Sequence, residues 1–173
     1  MCHARELFAD LRDPRIYAFM PDDPPLSVEA LALRYVIWER RQSPDGRERW
    51  LNWVVRLAHG GEPVGLLQAT VPTRGAALVA YLLFPRRWGK GYAREGVRRV
   101  LELLFVEYGV ERVAASIDTR NDRSIALVRS LGFQCAGCTR VADPIKGAPS
   151  DEYRFELTAS QACPTSAAPP PRT

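Results

Sequence analysis

Residues 81–96 read YLLFPRRWGKGYAREG, and this stretch decides how the chain folds. An apolar run ends at Phe84-Pro85, and two glycines, Gly89 and Gly91, follow before a helical pattern begins. A strand that leads through such a loop into a helix creates an anion site, because the first N–H groups of a helix have no internal partner and its dipole favours negative charge. The stretch predicts a phosphate-bearing ligand here, although a tight turn without a ligand gives the same pattern.

The loop fits neither common nucleotide fingerprint. It contains no G-x-x-x-x-G-K-[ST], and GKGYAREG is not a G-x-G-x-x-G followed by a ribose-binding acid at the right distance. Glycine lets a main chain approach a phosphate closely, since no side chain intervenes. The neighbouring Arg86, Arg87 and Lys90 predict charge-assisted hydrogen bonds to phosphate oxygens.

Hydrophobic periodicity around the loop predicts one mixed domain. A strand over 77–84 is apolar on both faces and is therefore expected in the centre of a sheet. The predicted helices are 3–12, 27–42, 91–108 and 122–131, and the other predicted strands are 51–58, 64–71, 112–117, 133–141 and 152–158. This order indicates an α/β (α+β) fold with a mixed central sheet of about six strands flanked by helices.

Length and composition restrict the classes of protein. The chain has 173 residues, of which 46% are hydrophobic and 25% are charged, which suits one compact domain. The formal net charge of +4 is too small to indicate nucleic-acid binding. With no signal peptide or long apolar run, a cytoplasmic protein that binds neither membrane nor nucleic acid is expected. Residues 1–158 form the predicted domain, and the proline-rich segment 159–173 is predicted to be disordered.

Three segments in this order resemble one family: YLLFPRRWGKGYA, the strand VAASIDTRN and the helix DRSIALVRSLGF. They are similar to the GCN5-related N-acetyltransferase (GNAT) superfamily, and within it to the branch of ribosomal-protein N-terminal alanine acetyltransferases. The resemblance covers about residues 5–158. It implies the GNAT fold and transfer of the acetyl group of acetyl-CoA to a primary amine of a protein N-terminus or a small molecule, without a metal. A catalytically silent CoA-binding regulatory domain is the alternative, and the chain is expected to be a monomer or a homodimer.

The resemblance also implies a cofactor site. In the family, backbone amides of the loop hold the pyrophosphate, which here assigns Trp88, Gly89, Lys90, Gly91, Tyr92 and Ala93. The preceding strand pairs with the pantetheine arm, which assigns Leu82, Leu83 and Phe84, and an amide there would polarise the thioester carbonyl. Trp88 departs from the family signature, because Arg or Gln is usual at that position.

Two further residues are assigned by the resemblance. Asn121 fits the N-cap of a helix, and the matching family residue also contacts the cofactor arm. Ser124 matches a serine proposed to help protonate the leaving thiolate. Many relatives use a tyrosine four residues further on, where this chain has Val128, so Ser124 is the predicted acid. The general base stays open among six candidates, which are His59, Glu95, Asp118, Asp143, Asp151 and Glu152.

The start of the chain and a pair of cysteines do not follow from the resemblance. Family members usually begin with a short strand before the first helix, whereas this chain begins almost inside the helix, so either the given start is late or the first edge strand is missing. Cys135 and Cys138 form a CxxC with no second CxxC and no paired histidine. Residues three apart in a strand face opposite sides, so shared zinc ligation is not expected and all cysteines are expected to be free thiols.

Overall fold

A computed structural model describes residues 2–145 and 147–162 of the chain. The helices are α1 (Cys2–Leu11), α2 (Val28–Trp38), α3 (Tyr92–Val106), α4 (Asp122–Ser130) and α5 (Ala159–Ala162), with short 3-10 helices at Pro14–Tyr17 and Pro85–Arg87. The strands are β1 (Glu48–Arg56), β2 (Pro63–Pro72), β3 (Ala77–Leu83), β4 (Arg112–Asp118), β5 (Gln134–Ile145) and β6 (Ala148–Thr158).

The strands form one mixed sheet in the order β1-β2-β3-β4-β6-β5. All neighbours are antiparallel except β3 and β4, which are parallel. The parallel pair lies in the middle, because the connection from β3 to β4 is the long crossover through α3. The predicted mixed sheet of six strands with a central 77–84 strand is therefore confirmed.

Helices cover both faces of the sheet and bury two apolar clusters. On one face, α3 buries Val97, Val100, Leu101 and Leu104, which is the stripe its periodicity predicts. On the other face, Leu7 and Leu11 of α1 and Leu31 of α2 pack with Phe84, which directly follows β3. The end of β3 is therefore fixed from both sides, and the loop after it starts from a rigid position.

The element ends differ slightly from the sequence prediction. Ser27 caps α2 by accepting the Ala30 N–H at 3.1 Å, but the helix ends at Trp38 and not near residue 42. Arg41 has a φ of 54°, a left-handed conformation that an α-helix does not contain. At the other end of the chain, Ala159–Ala162 are helical, although disorder is predicted from residue 159. The rest of that predicted tail lies outside the described residues.

The CxxC pair requires a correction. Cys135 lies opposite Phe155 and Cys138 opposite Tyr153, with a register shift between Cys135 and Gly137. The strand partners are two residues apart, so the bulge brings both cysteines to the same side of β5 and the alternation argument fails. Both are free and exposed, and the described residues contain no cluster of three metal-ligating side chains.

Within the same residues, no helix is long and apolar enough to cross a bilayer.

Gly65 sets how closely β2 approaches β3, and its replacement should destabilise the fold. An ideal Cβ at Gly65 would lie 2.2 Å from the Leu82 carbonyl oxygen, which is main chain and cannot rotate away. Gly65→Ala is therefore expected to lower the free energy of unfolding by about 1–3 kcal/mol in urea titrations. Gly137→Ala is the matched control, because a Cβ there meets nothing within 4 Å. Equal stability of the two variants would contradict the close approach.

Candidate functional site: an open strand edge beside a glycine-rich helix start

The centre of the sheet opens between β3 and β4. The two strands pair only at Ala77 with Val113 and at Leu78 with Ala114. Beyond these two pairs β3 continues to Leu83 and β4 to Asp118, and the described residues show no further pairing between them. A central strand therefore presents one main-chain edge to a gap.

The pairing of β3 with β2 decides which residues face this gap. The Phe84 N–H donates to the Val64 carbonyl at 2.9 Å, so Phe84 faces β2. In an antiparallel pair the main-chain N–H and C=O groups of successive residues point alternately towards and away from the partner strand. The main-chain groups of Leu82 therefore also point to β2, whereas those of Tyr81 and Leu83 point into the gap. The Leu83 carbonyl accepts a hydrogen bond from the Trp88 indole at 2.7 Å. Its N–H stays available, together with the main-chain groups of Tyr81.

This geometry refines the predicted strand contacts. Of the predicted Leu82, Leu83 and Phe84, only Leu83 has main-chain groups facing the gap, because β2 takes those of the other two. Tyr81 faces the gap and was missed. Alternation along β3 is visible in the sequence, but its phase depends on the register with β2.

The loop after β3 ends in an uncapped helix start. Gly91 is the N-cap of α3 with a φ of 82°, and no side chain caps the helix. The amides of Gly89, Lys90, Gly91, Tyr92 and Ala93 have no acceptor among the described residues. The Trp88 amide, also predicted to bind phosphate, donates instead to the Pro85 carbonyl at 3.2 Å.

The two glycines leave the approach to these amides open. Gly89 has a φ of 73°, and an ideal Cβ at Gly89 or Gly91 meets nothing within 4 Å. Space that a side chain would fill therefore lies directly outside the main chain. A pyrophosphate at the loop, joined to an extended amide-containing arm along the β3 edge, fits both features.

Two of the three charged side chains near the loop form ion pairs within the chain. Arg86 forms an ion pair with Asp10 of α1 at 2.8 Å, and Arg87 forms one with Glu62 in the turn before β2. Each arginine therefore already neutralises one carboxylate, and its contact with a phosphate stays a prediction. Lys90 has no ion pair within the described part of the chain and is exposed.

Across the gap from β3, the start of α4 carries the predicted acid. Asn121 caps α4, with its side-chain oxygen accepting the Ser124 N–H at 3.2 Å. The Tyr81 hydroxyl donates to the Ser124 main-chain carbonyl at 3.3 Å, so a second hydroxyl lies close to this residue. Burial raises the pKa of Tyr81, which keeps this hydroxyl protonated. Val128, at the usual tyrosine position, is fully buried.

Asp118 is a structural group and not a free base. Its carboxylate accepts hydrogen bonds from the Arg120 guanidinium, from the Arg120 amide at 2.8 Å and from the Ser150 hydroxyl at 2.9 Å. The bonds from Arg120 are the main cause that lowers the pKa of Asp118 to about 2. Such a carboxylate is too weakly basic to deprotonate an amine.

The other base candidates do not meet in the gap as a group. His59 is exposed in the turn between β1 and β2, and Glu95 is exposed on α3. Asp151 and Glu152 lie half-buried in β6. The side chain of Asp143 lies outside the described residues.

A cleft of about 280 Å³ lies between α2 and the sheet. It borders β3 at Ala80, Tyr81 and Leu82, the segment that also borders the gap. Its wall is largely apolar and aromatic, formed by Leu11, Tyr17, Met20, Leu31, Tyr35, Trp38 and Leu66, with Asp22, Arg34 and Gln68 as the polar members. Residues 11–38 supply most of this wall.

Tyr35 contributes a polar group that the fold itself does not satisfy. Its hydroxyl is buried and has no hydrogen-bond partner among the described residues. Burial is the main cause that raises the pKa of Tyr35 to about 12, so it stays protonated. Nothing in the sequence distinguishes Tyr35 from a core residue, because it lies on the apolar stripe of its helix.

The Asp118 network predicts a specific acid dependence of stability. A lowered pKa means that the carboxylate stabilises the folded state above its unfolded pKa near 4 and loses this effect as the pH falls towards 2. Asp118→Asn is expected to cost about 1–3 kcal/mol at pH 7 in urea unfolding. The difference from wild type should shrink between about pH 4 and pH 2. Glu107→Gln, at an exposed carboxylate, is the control and should cost little. A cost for Asp118→Asn that is independent of pH would contradict the assignment.

Sequence comparisons identify the family of the chain. A family model described as "Acetyltransferase (GNAT) domain" matches residues 2–134. The chain is 36% identical over 83 residues to the N-acetyltransferase p20 of Bacillus licheniformis, named as uncharacterized, covering 48% of this chain and 47% of that protein. It is 27% identical over 112 residues to the similarly named YoaA of Bacillus subtilis, covering 64% and 63%. The matches thus span about half to just under two thirds of these relatives.

Solved structures share the fold. A spermidine N-acetyltransferase from Vibrio cholerae, in complex with CoA and spermine, superposes with a TM-score of 0.78 at 21% identity, covering 93% of this chain and 92% of that one. A GNAT-family acetyltransferase from Bacillus anthracis gives a TM-score of 0.73 at 18% identity, covering 91% and 89%. The family model spans more than half of the chain and the fold agrees, so the chain belongs to the GNAT acetyltransferase family.

Proposed function

We propose that the protein is an acetyl-CoA-dependent N-acetyltransferase that acetylates a primary amine. The observation that carries the proposal is the continuity of the β3 edge with the uncapped start of α3. A strand-like arm along Tyr81 and Leu83 leads directly to the free amides at Gly89–Ala93. A ligand with an extended amide arm and a pyrophosphate matches that order, and the family membership supports acetyl-CoA.

The residues around the gap would support the reaction in distinct ways. Acetyl-CoA supplies an activated acyl group, which an uncharged amine takes while the CoA thiol leaves. The Leu83 N–H, which faces the gap, would donate to a developing oxyanion. Ser124 and Tyr81 contribute two hydroxyls near the start of α4, and one of them would return a proton to the leaving sulfur.

The cleft between α2 and β3 is the proposed acceptor site. It reaches the gap at Tyr81 and is small, so it suits one end of an acceptor more than a whole large substrate. The Tyr35 hydroxyl is then a ready partner for a polar group of the acceptor. The similar solved structures include a spermidine acetyltransferase, whereas the sequence motifs resemble enzymes that acetylate a protein N-terminus. The proposal therefore covers amine-bearing small molecules and protein N-termini.

The wall of the cleft favours some amines over others. Asp22 is its one carboxylate, and Arg34 adds a positive charge to the same wall. A polyamine carries several ammonium groups and gains most from several carboxylates, whereas an amine with an apolar or aromatic neighbour gains from Tyr17, Tyr35 and Trp38. A free-CoA release screen should therefore compare polyamines with peptides whose first side chain is apolar. CoA binding without release in any reaction would favour the regulatory alternative.

The cofactor site is tested by a side chain at Gly91. Gly91→Val fills the space outside the helix start, and the dissociation constant for CoA should rise at least tenfold, about 1.4 kcal/mol, in calorimetry. Gly75→Val is the matched control, because Gly75 also has a positive φ and an open Cβ position but lies in the β2–β3 turn. Both variants carry the same backbone strain. An unchanged CoA affinity in folded Gly91→Val would exclude this loop as the phosphate site.

The predicted acid is tested by removing one hydroxyl at a time. Ser124→Ala is expected to lower kcat by about 100-fold with little change in CoA affinity. Ser130→Ala in the same helix is the control, since its hydroxyl is exposed and bonds only to the Leu127 carbonyl. Tyr81→Phe is measured in parallel. If Tyr81→Phe loses turnover while Ser124→Ala keeps it, the assignment of Ser124 is wrong and Tyr81 supplies the proton.

A further inference from the structure

The outward face of α2 is apolar, which is unusual for a helix at a surface. Leu33, Val36 and Ile37 follow the spacing i, i+3, i+4 and are 68%, 43% and 49% exposed. Leu26, just before the helix, is 93% exposed. A helix that packs on a core by one face normally carries polar residues on the other, and a helix that is apolar on both is normally covered on both.

The proposed acceptor cleft does not account for this face. The cleft uses Leu31, Arg34, Tyr35 and Trp38, which lie on the inner side of α2. Leu33, Val36 and Ile37 point away from them, because residues three and four apart share one side of a helix. The exposed apolar face therefore needs a separate explanation.

We propose that two copies of the chain pair through this face, with their α2 helices antiparallel. In an antiparallel pair in which Leu33 lies opposite the partner's Val36, the start of one helix, with Glu29, lies near the end of the other. Arg40 follows that end in the adjoining turn, where its N–H donates to the Ile37 carbonyl, so it would lie near the partner's Glu29. Glu29 and Arg40 are both exposed. A parallel pair would instead place Glu29 beside the partner's Glu29. The charges at the ends of the apolar stripe thus complement each other in one orientation.

A second copy suits this face better than a lipid surface. Helices that lie on membranes carry a strongly basic polar face, whereas this stripe is bordered by Glu29 and Glu39 as well as by Arg40 and Arg41. The contact is a single helix from each copy, which buries less than the roughly 800 Å² per partner of a stable interface. We therefore expect a weak dimer. Sequence alone leaves monomer and homodimer open, and this face selects the homodimer.

Sedimentation of the full chain measures the association. Between about 1 and 200 µM, the wild type should pass from the monomer mass of 19.4 kDa to twice that mass. Leu33→Glu places carboxylates at the centre of the contact and should weaken dimerisation at least about 100-fold. Val106→Glu is the matched control, because Val106 is 77% exposed at the end of α3 and lies outside the stripe. Thermal unfolding by circular dichroism checks that each variant is folded.

Charge reversal tests the orientation. Glu29→Arg should weaken the dimer, and adding Arg40→Glu in the same chain should restore it, which a parallel pair would not produce. A wild type that stays monomeric throughout the range overturns the proposal. So does a Leu33→Glu variant that dimerises like the wild type, or a monomeric wild type that binds vesicles of anionic lipid through this face.

Discussion

Everything in the site depends on the failure of β3 to pair with β4 beyond Leu78. A buried main-chain amide or carbonyl without a partner is costly, so a central strand normally uses both of its edges. Here β2 holds β3 over six pairs and β6 holds β4 over seven, so each half of the sheet is fixed without the other. The gap is therefore a rigid opening between two antiparallel units. A strand-like ligand arm would satisfy the exposed edge and stabilise the folded state at the same time.

The loop depends on the same opening, because it must begin where β3 ends. Its ion pairs explain how it is held there. Arg86 connects the loop to Asp10 of α1, and Arg87 connects it to Glu62 before β2. These contacts fix the loop to both neighbouring elements, while the amides of Gly89–Ala93 stay free for an anion. Positive side chains thus hold the loop in place, and the main chain offers the hydrogen bonds.

The sequence predicts the elements of this fold well, because local spacing determines them. The stripe Val97–Leu104, the Ser27 and Asn121 caps and the central strand all follow from residues close together in the chain. The site is less predictable, since its details depend on residues far apart. The phase of β3 depends on its register with β2, the role of Arg86 depends on Asp10, and Asp118 resembles an active-site acid until Ser150 and Arg120 surround it. For the same reason, the sequence does not show that the Tyr35 hydroxyl is buried without a partner among the described residues.

The two proposals meet in α2, and linkage connects them. Leu31 is the one buried side chain of α2, so the position of the helix depends on what covers its two faces. Its inner face forms the wall of the cleft, and its outer face is the proposed dimer contact. If acceptor binding and dimerisation both favour one position of the helix, each must strengthen the other by the same factor. The proposed CoA site uses the gap edge of β3 and the start of α3 and no residue of α2, so this coupling should reach the acceptor far more strongly than the cofactor.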